Sequence, residues 1–170
     1  SGTRDTANGV MVTHQAVSDC LKFLNSAYGL SSSDSALSYL PLAHSYERAH
    51  NYLYQLCGLT ITYAEHAQSM LGNLQESKPT IFTTVPTVIE AICKNLGNED
   101  LIETGKQFAL MTGGNLRIIS SAGAALPIAV GQFIQETGIA VMECYGTTET
   151  QIICLNRLPE GIRLGTVGAP

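Results

Sequence analysis

The sequence has no surplus of positive charge, no long apolar run and no paired-cysteine motif, and each absence removes a class of function. Nine Lys and Arg against fourteen Asp and Glu give a net charge of -5, so no basic field is present to hold a nucleic-acid backbone. Apolar stretches are broken by Gly, Ser or Pro well before the roughly 20 residues that a transmembrane helix requires. Residues 1–8 are polar and include Arg4 and Asp5, unlike the basic start and apolar middle of a secretory signal. Cys20, Cys57, Cys93, Cys144 and Cys154 are scattered, with no Cys-x-x-Cys pair. That pattern reads as reduced thiols packed as small apolar residues, hence a cytoplasmic setting. Gly-x-x-x-x-Gly-Lys-[Ser/Thr], a Gly-x-Gly-x-x-Gly after a strand, and Gly-x-Ser-x-Gly are also missing, which disfavours P-loop NTPases, dinucleotide dehydrogenases and serine hydrolases.

What is present is a chain of 170 residues, 45% hydrophobic and 14% charged, the composition of a globular domain or part of one. Apolar stretches of strand length alternate with longer amphipathic ones, which predicts an α/β fold with a largely parallel sheet flanked by helices. Helices are expected over residues 13–28 (capped by Thr13), 44–56, 64–76, 87–95 (entered through Pro86) and 126–136, with a short helical pattern over 101–110 in a polar, Gly-containing region. Strands are expected over 36–40, 59–63, 80–85, 116–120, 139–144 and 151–155. No repeat, low-complexity segment or linker divides the chain.

The most informative segment is Tyr145-Gly-Thr-Thr-Glu149, read as a turn after an apolar strand. An aromatic ring can stack on a base, threonine hydroxyls can bond phosphate oxygens, and a carboxylate is a hard ligand for Mg²⁺. Open α/β sheets bind ligands at the carboxyl ends of their strands, where residues 41–48, 121–125 and 145–150 are all expected to fall. Gly123, Ala124 and Ala125 let a flat ligand approach the backbone, although spacing alone favours a tight strand-to-helix turn. Tyr145 alone could be a core tyrosine and Glu149 a solvated carboxylate. His44, Glu47, Arg48 and His50 are expected to share a polar helix face. Their spacing does not match a metal-binding motif.

Taken with Leu40-Pro-Leu-Ala-His-Ser-Tyr-Glu-Arg48, Lys78-Pro-Thr-Ile-Phe-Thr-Thr-Val-Pro86, Ser121-Ala-Gly-Ala-Ala-Leu-Pro127 and Gly165-Thr-Val-Gly-Ala-Pro170, the Tyr-Gly-Thr-Thr-Glu segment resembles the adenylate-forming (AMP-binding) enzymes. The Leu-Pro-Leu-Ala-His-x-x-Glu-Arg segment points within them to the long-chain fatty acyl-CoA synthetases. The resemblance implies that residues 1–170 are an internal part of the large N-terminal domain. The ribose-holding Thr-Gly-Asp segment, the hinge, and the C-terminal domain with its catalytic Lys are expected beyond Pro170. It also implies a reaction that uses a long-chain fatty acid, ATP with Mg²⁺, and CoA. Peripheral attachment of a longer parent to a membrane surface is compatible with it.

By the same resemblance, Tyr145 stacks on adenine, Thr148 bonds the phosphates, Glu149 reaches Mg²⁺ and acts with Thr148 in catalysis, and His44 lies near the carboxylate being activated. Gly123, Ala124 and Ala125 line the adenine and acyl sites, with Gly146 and Thr147 completing the nucleotide set. Ser1, Gly2 and Thr3 match the start of the family's phosphate loop, but Arg4, Asp5, Ala7 and Asn8 stand where Thr, Gly, Pro and Lys are usual. A like-charge pair of Asp5 with a phosphate at ~4 Å and an effective dielectric of ~20 costs about 4 kcal/mol before relaxation. This departure keeps a second reading in play, a non-catalytic nucleotide- or acyl-binding module. Long-chain synthetases also carry a longer helical insertion where residues 97–115 stand here.

Overall fold

The computed structural model describes residues 9–96, 101–157 and 161–170. Six strands form one sheet in the order β2-β1-β3-β4-β5-β6. β1 (Ser35–Ser38), β2 (Thr60–Tyr63), β3 (Ile81–Thr84), β4 (Ile118–Ser121) and β5 (Ala140–Thr147) run parallel, and β6 (Gln151–Leu155) returns antiparallel to β5. The helices are α1 (His14–Tyr28), α2 (Ser45–Cys57), α3 (Met70–Ser77), α4 (Pro86–Lys94), α5 (Leu101–Met111) and α6 (Ile128–Glu136). Among the described residues, no helix is long and apolar enough to cross a membrane.

Successive residues on each strand serve opposite faces, as the period of a pleated strand requires. Ala36, Ile81, Ile118 and Met142 join Leu24, Leu53 and Tyr54 of α1 and α2 in one core. Leu37, Phe82, Ile119 and Val141 join Leu74, Ile89, Phe108 and Ile134 of α3 to α6 in the other. Each fully buried Leu or Ile contributes about 2 kcal/mol, so both faces of the sheet are tied down and the strand ends are held in fixed relation.

Helix boundaries follow local chemistry. Thr13 Oγ1 accepts from Ala16 N at 3.1 Å, and α1 and α2 end on Gly29 and Gly58 in the left-handed conformation that costs glycine little. α4 carries Pro86 in its first turn, where the missing N–H is not needed.

Four expectations are corrected. The helix expected over 64–76 begins only at Met70, because the His66–Ser69 stretch is a 3₁₀ turn closed by Ser69 Oγ, which donates to His66 O at 2.8 Å. β1 stops at Ser38, two residues early, with Leu40 already in the loop. β5 runs on through Tyr145, Gly146 and Thr147 because those residues pair with Cys154, Ile152 and Gln151 of β6. The polar face of α2 is split: His44 is the exposed N-cap, its Nδ1 accepting from Tyr46 N at 3.3 Å, and Arg48 is exposed, whereas Glu47 and His50 are wholly buried against the sheet.

That burial creates a polar layer between α1, α2 and the strand ends. Ser38 Oγ donates to Glu47 Oε1 at 2.5 Å and accepts from Asn51 Nδ2 at 3.2 Å. His50 Nδ1 lies 2.9 Å from the Tyr46 carbonyl, which can only accept, so Nδ1 carries the proton and Nε2 accepts from Tyr28 OH at 2.9 Å. Tyr28 then accepts from Ser120 Oγ at 2.7 Å, and Tyr46 OH donates to Ser120 Oγ at 2.9 Å. Every proton in this chain of four side chains has one consistent place.

Candidate functional site

Three segments distant in sequence meet at the carboxyl ends of the parallel strands. His44 comes from the end of the β1–α2 connection and Tyr46 from the first turn of α2, Gly123 from the β4–α6 connection, and Gly146, Thr148 and Glu149 from the β5–β6 hairpin. They line a cleft of about 320 Å³. A second cleft of about 610 Å³ lies at the end of β5, lined by Ala124, Ala125 and Tyr145 together with Gly165, Val167 and Gly168. Gly123, Cys144 and Gly146 border both. β1 and β4 are separated by β3, yet the segments that follow them share one cleft.

The hairpin is built by its own threonines. Thr147 N donates to Thr150 Oγ1 at 3.1 Å, and Thr150 N donates to Thr147 Oγ1 at 3.2 Å. Gln151 closes the turn with a left-handed φ of 58° and donates from Nε2 to Thr148 O at 2.7 Å. Thr147 is thereby committed to the turn, while Thr148 and Glu149 border the smaller cleft. Gly146 is irreplaceable on packing grounds, since a Cβ there would lie 2.0 Å from Gln151 O. Gly123 has a φ of 90°, in the range that favours glycine.

Tyr145 is 51% exposed, which removes the core-tyrosine reading and leaves a free ring face at the cleft. Glu149 is exposed, and donation from its own backbone N–H, then from the Thr147 hydroxyl, holds its carboxyl below the ordinary range. Beneath the smaller cleft lies the polar layer, with Tyr46 at its upper edge. Burial pushes Glu47 up to about 7 against the opposing Ser38 bond, and pushes His50 down to about 4 against the Tyr46 carbonyl. His50 is therefore a neutral imidazole at neutral pH. Ser1, Gly2 and Thr3, with Arg4 and Asp5, lie outside the described residues.

Sequence reasoning did not single out Glu143 and Asn156, which hold the walls of the larger cleft. Glu143 Oε2 accepts from Leu126 N at 3.1 Å and Oε1 from Gly165 N at 3.2 Å. Asn156 donates from Nδ2 to Arg163 O at 3.2 Å and to Thr166 O at 2.5 Å, and its Oδ1 accepts from Arg163 N at 3.2 Å. The available signal was a carboxylate inside an apolar strand, Val141-Met-Glu-Cys144.

The residues fit a nucleotide in chemistry: an exposed ring, glycines that admit close approach, a hydroxyl and an exposed carboxylate for a hard cation. Among the described residues, no Lys or Arg lines either cleft, and Thr148 and Glu149 are the polar side chains at the smaller one that suit a phosphate and its metal.

The AMP-binding enzyme family matches residues 1–170. Long chain acyl-CoA synthetase 6, peroxisomal, of Arabidopsis thaliana is 29% identical across 100% of this chain and 29% of its own length. Long-chain-fatty-acid--CoA ligase 5 of Mus musculus is 28% identical across 100% of this chain and 30% of its own. The chain thus spans under a third of the length of these relatives. Among solved structures, a malonyl-CoA ligase ternary product complex with methylmalonyl-CoA and AMP bound aligns with a TM-score of 0.80 at 28% identity, over 100% of this chain and 36% of that one. With a parallel sheet whose strand ends carry the Gly-Ala-Ala and Tyr-Gly-Thr-Thr-Glu segments, and a family match from the first residue to the last, this chain belongs to the AMP-binding, adenylate-forming enzymes.

Proposed function

We propose that these residues are part of the N-terminal domain of a long-chain fatty acid:CoA ligase, which activates a fatty acid with Mg-ATP to an acyl-adenylate and passes the acyl group to CoA. The observation that carries this reading is the convergence of the loops after β1, β4 and β5 on one cleft, together with the long-chain ligases among the relatives. In this reading, Tyr145 offers its exposed ring to adenine, with Gly123, Ala124 and Ala125 as the facing wall and Gly146 allowing close approach. Thr148 bonds phosphate, Thr147 holds the turn that presents it, and Glu149 ligates Mg²⁺. The metal's part is to neutralise charge on the polyphosphate. His44, exposed at the α2 N-terminus, donates a hydrogen bond to the fatty carboxylate. Ser1, Gly2 and Thr3 are assigned to phosphate by resemblance. Five free thiols agree with a cytoplasmic location for the parent, and attachment at a membrane surface rests on the resemblance alone.

The test is fatty-acid-dependent exchange of pyrophosphate into ATP by the full natural polypeptide that carries this sequence. Glu149→Ala is expected to lower the exchange rate by about 100-fold, the scale of losing one preorganised electrostatic group, with a raised Mg²⁺ requirement. Unchanged exchange would remove the assignment of Glu149. A wild type that binds nucleotide but exchanges no pyrophosphate would favour the non-catalytic binding module suggested by Arg4 and Asp5.

A further inference from the structure

Glu143 is 4% exposed on the sheet face that also carries Val141. A carboxylate withdrawn from water needs donors for both of its oxygens. Here each oxygen is taken by a different loop. Oε2 accepts from Leu126 N, at the end of the segment that carries Gly123, Ala124 and Ala125, and Oε1 accepts from Gly165 N, at the start of the segment that reaches Gly168. Both segments form walls of the larger cleft. The main chain at Glu143 is fixed as well, its carbonyl accepting from Asn156 N at 2.9 Å, and Tyr145 follows two residues later on the same strand. Gly165 has a φ of 78°, and a Cβ there would lie 2.9 Å from Ile128 Cδ1, so its loop is pressed against the start of α6. The wall on the Leu126 side belongs to the same helix entry. One carboxylate therefore bonds a loop on each side of the larger cleft from the strand that bears the aromatic ring.

We propose that Glu143 is a positioning residue whose two loop bonds set the separation of the cleft walls, and that affinity for an adenine nucleotide depends on both. The proposal rests on the nucleotide reading above. It also explains the residue type. Charged acceptors make the stronger bonds to N–H groups, and Gln, although the same shape, offers one acceptor and one donor, so one of the two facing N–H groups meets another donor.

The test uses amide hydrogen exchange and AMP titration on the full natural polypeptide, comparing wild type with Glu143→Gln and Glu143→Ala. Exchange at Leu126 and Gly165 is expected to rise about tenfold more than at Ile92 in α4, which reports global opening: at both amides in the Ala variant and at one or both in the Gln variant. AMP affinity is expected to fall about tenfold in the Gln variant, the scale of one charged hydrogen bond. A merely structural role would raise exchange at Ile92 equally and leave AMP affinity within about twofold of wild type, and either result overturns the proposal. If the Ala variant does not fold, the Gln variant decides. A wild type that binds no AMP defeats the nucleotide reading before any substitution is made, and the exchange pattern then decides the clamp by itself.

Discussion

Glu47 and His50 stand one helical turn apart on α2, both wholly buried, and burial drives them to neutrality from opposite sides. Glu47, raised from 4.5 to about 7, holds its proton more tightly folded than unfolded. Its contribution to stability is full below its unfolded value and is lost as pH rises through about 7. His50, lowered from 6.5 to about 4, does the reverse: its contribution is present above 6.5 and is lost as pH falls through about 4. Glu47→Gln removes only the first effect. Its stability relative to wild type is therefore expected to improve by up to about 3 kcal/mol between about pH 5 and about pH 8. Denaturant midpoints at the two pH values measure this, and parallel behaviour of the two proteins would disprove the buried carboxyl's role. Neither residue was legible as buried. Two polar side chains three positions apart on a helix ordinarily mark a solvated face; here Ser38, Tyr28 and Ser120 from other elements support their burial, with Asn51 of α2 itself bonding Ser38.

At the scale of elements, the alternation of helices and strands was readable because it depends on local periodicity and on caps such as Thr13, Pro86 and Gly58. The antiparallel return of β6 was not, since it depends on Gly146 admitting Gln151 O and on the Thr147–Thr150 bonds, which no propensity records. The same limit hid Asp34, which in Ser31-Ser-Ser-Asp-Ser35 reads as an ordinary turn residue. It accepts from Arg117 Nε and Nη2 at 2.9 Å each, from Thr80 Oγ1 at 2.8 Å and from Ser31 N at 2.9 Å, so the entries to β1, β3 and β4 are tied at one carboxylate. Its backbone carbonyl also accepts from Thr60 N at 3.3 Å, which adds the entry to β2. The Arg117 guanidinium is the main reason that its carboxyl falls to about 2. Because that value is depressed, the stabilisation is present above the ordinary carboxylate range and is lost as pH falls through about 2. Asp34→Asn is expected to cost roughly 1–2 kcal/mol at neutral pH, discounted for the half-exposed guanidinium. The cost should shrink in acid. A constant cost from neutral pH to about pH 2, followed by thermal or urea unfolding, would show that the charge is not the cause.

For the whole molecule, the sheet order explains why residues as far apart as His44 and Glu149 serve one site. The chain leaves β1 for β2 across one face and crosses to β3 on the other side of β1, so connections on both faces open toward the same strand ends. Motif order along the sequence pointed to His44, Gly123 and residues 145–149, which border the clefts, but not to the struts behind them, because Glu143 and Asn156 act on backbone groups whose positions exist only once the sheet has formed. A ligand in this cleft touches loops anchored in both cores, and it should therefore stabilise the molecule as a unit. AMP at about 100 times its dissociation constant is expected to add about 2.7 kcal/mol, raising the melting temperature by about 5–10 °C for a domain of this size. Tyr145→Ala should weaken that response at fixed AMP, since its ring, proposed to stack on adenine, is exposed and outside both cores. A melting temperature insensitive to AMP, or a response that Tyr145→Ala leaves intact, would place the nucleotide away from the end of β5.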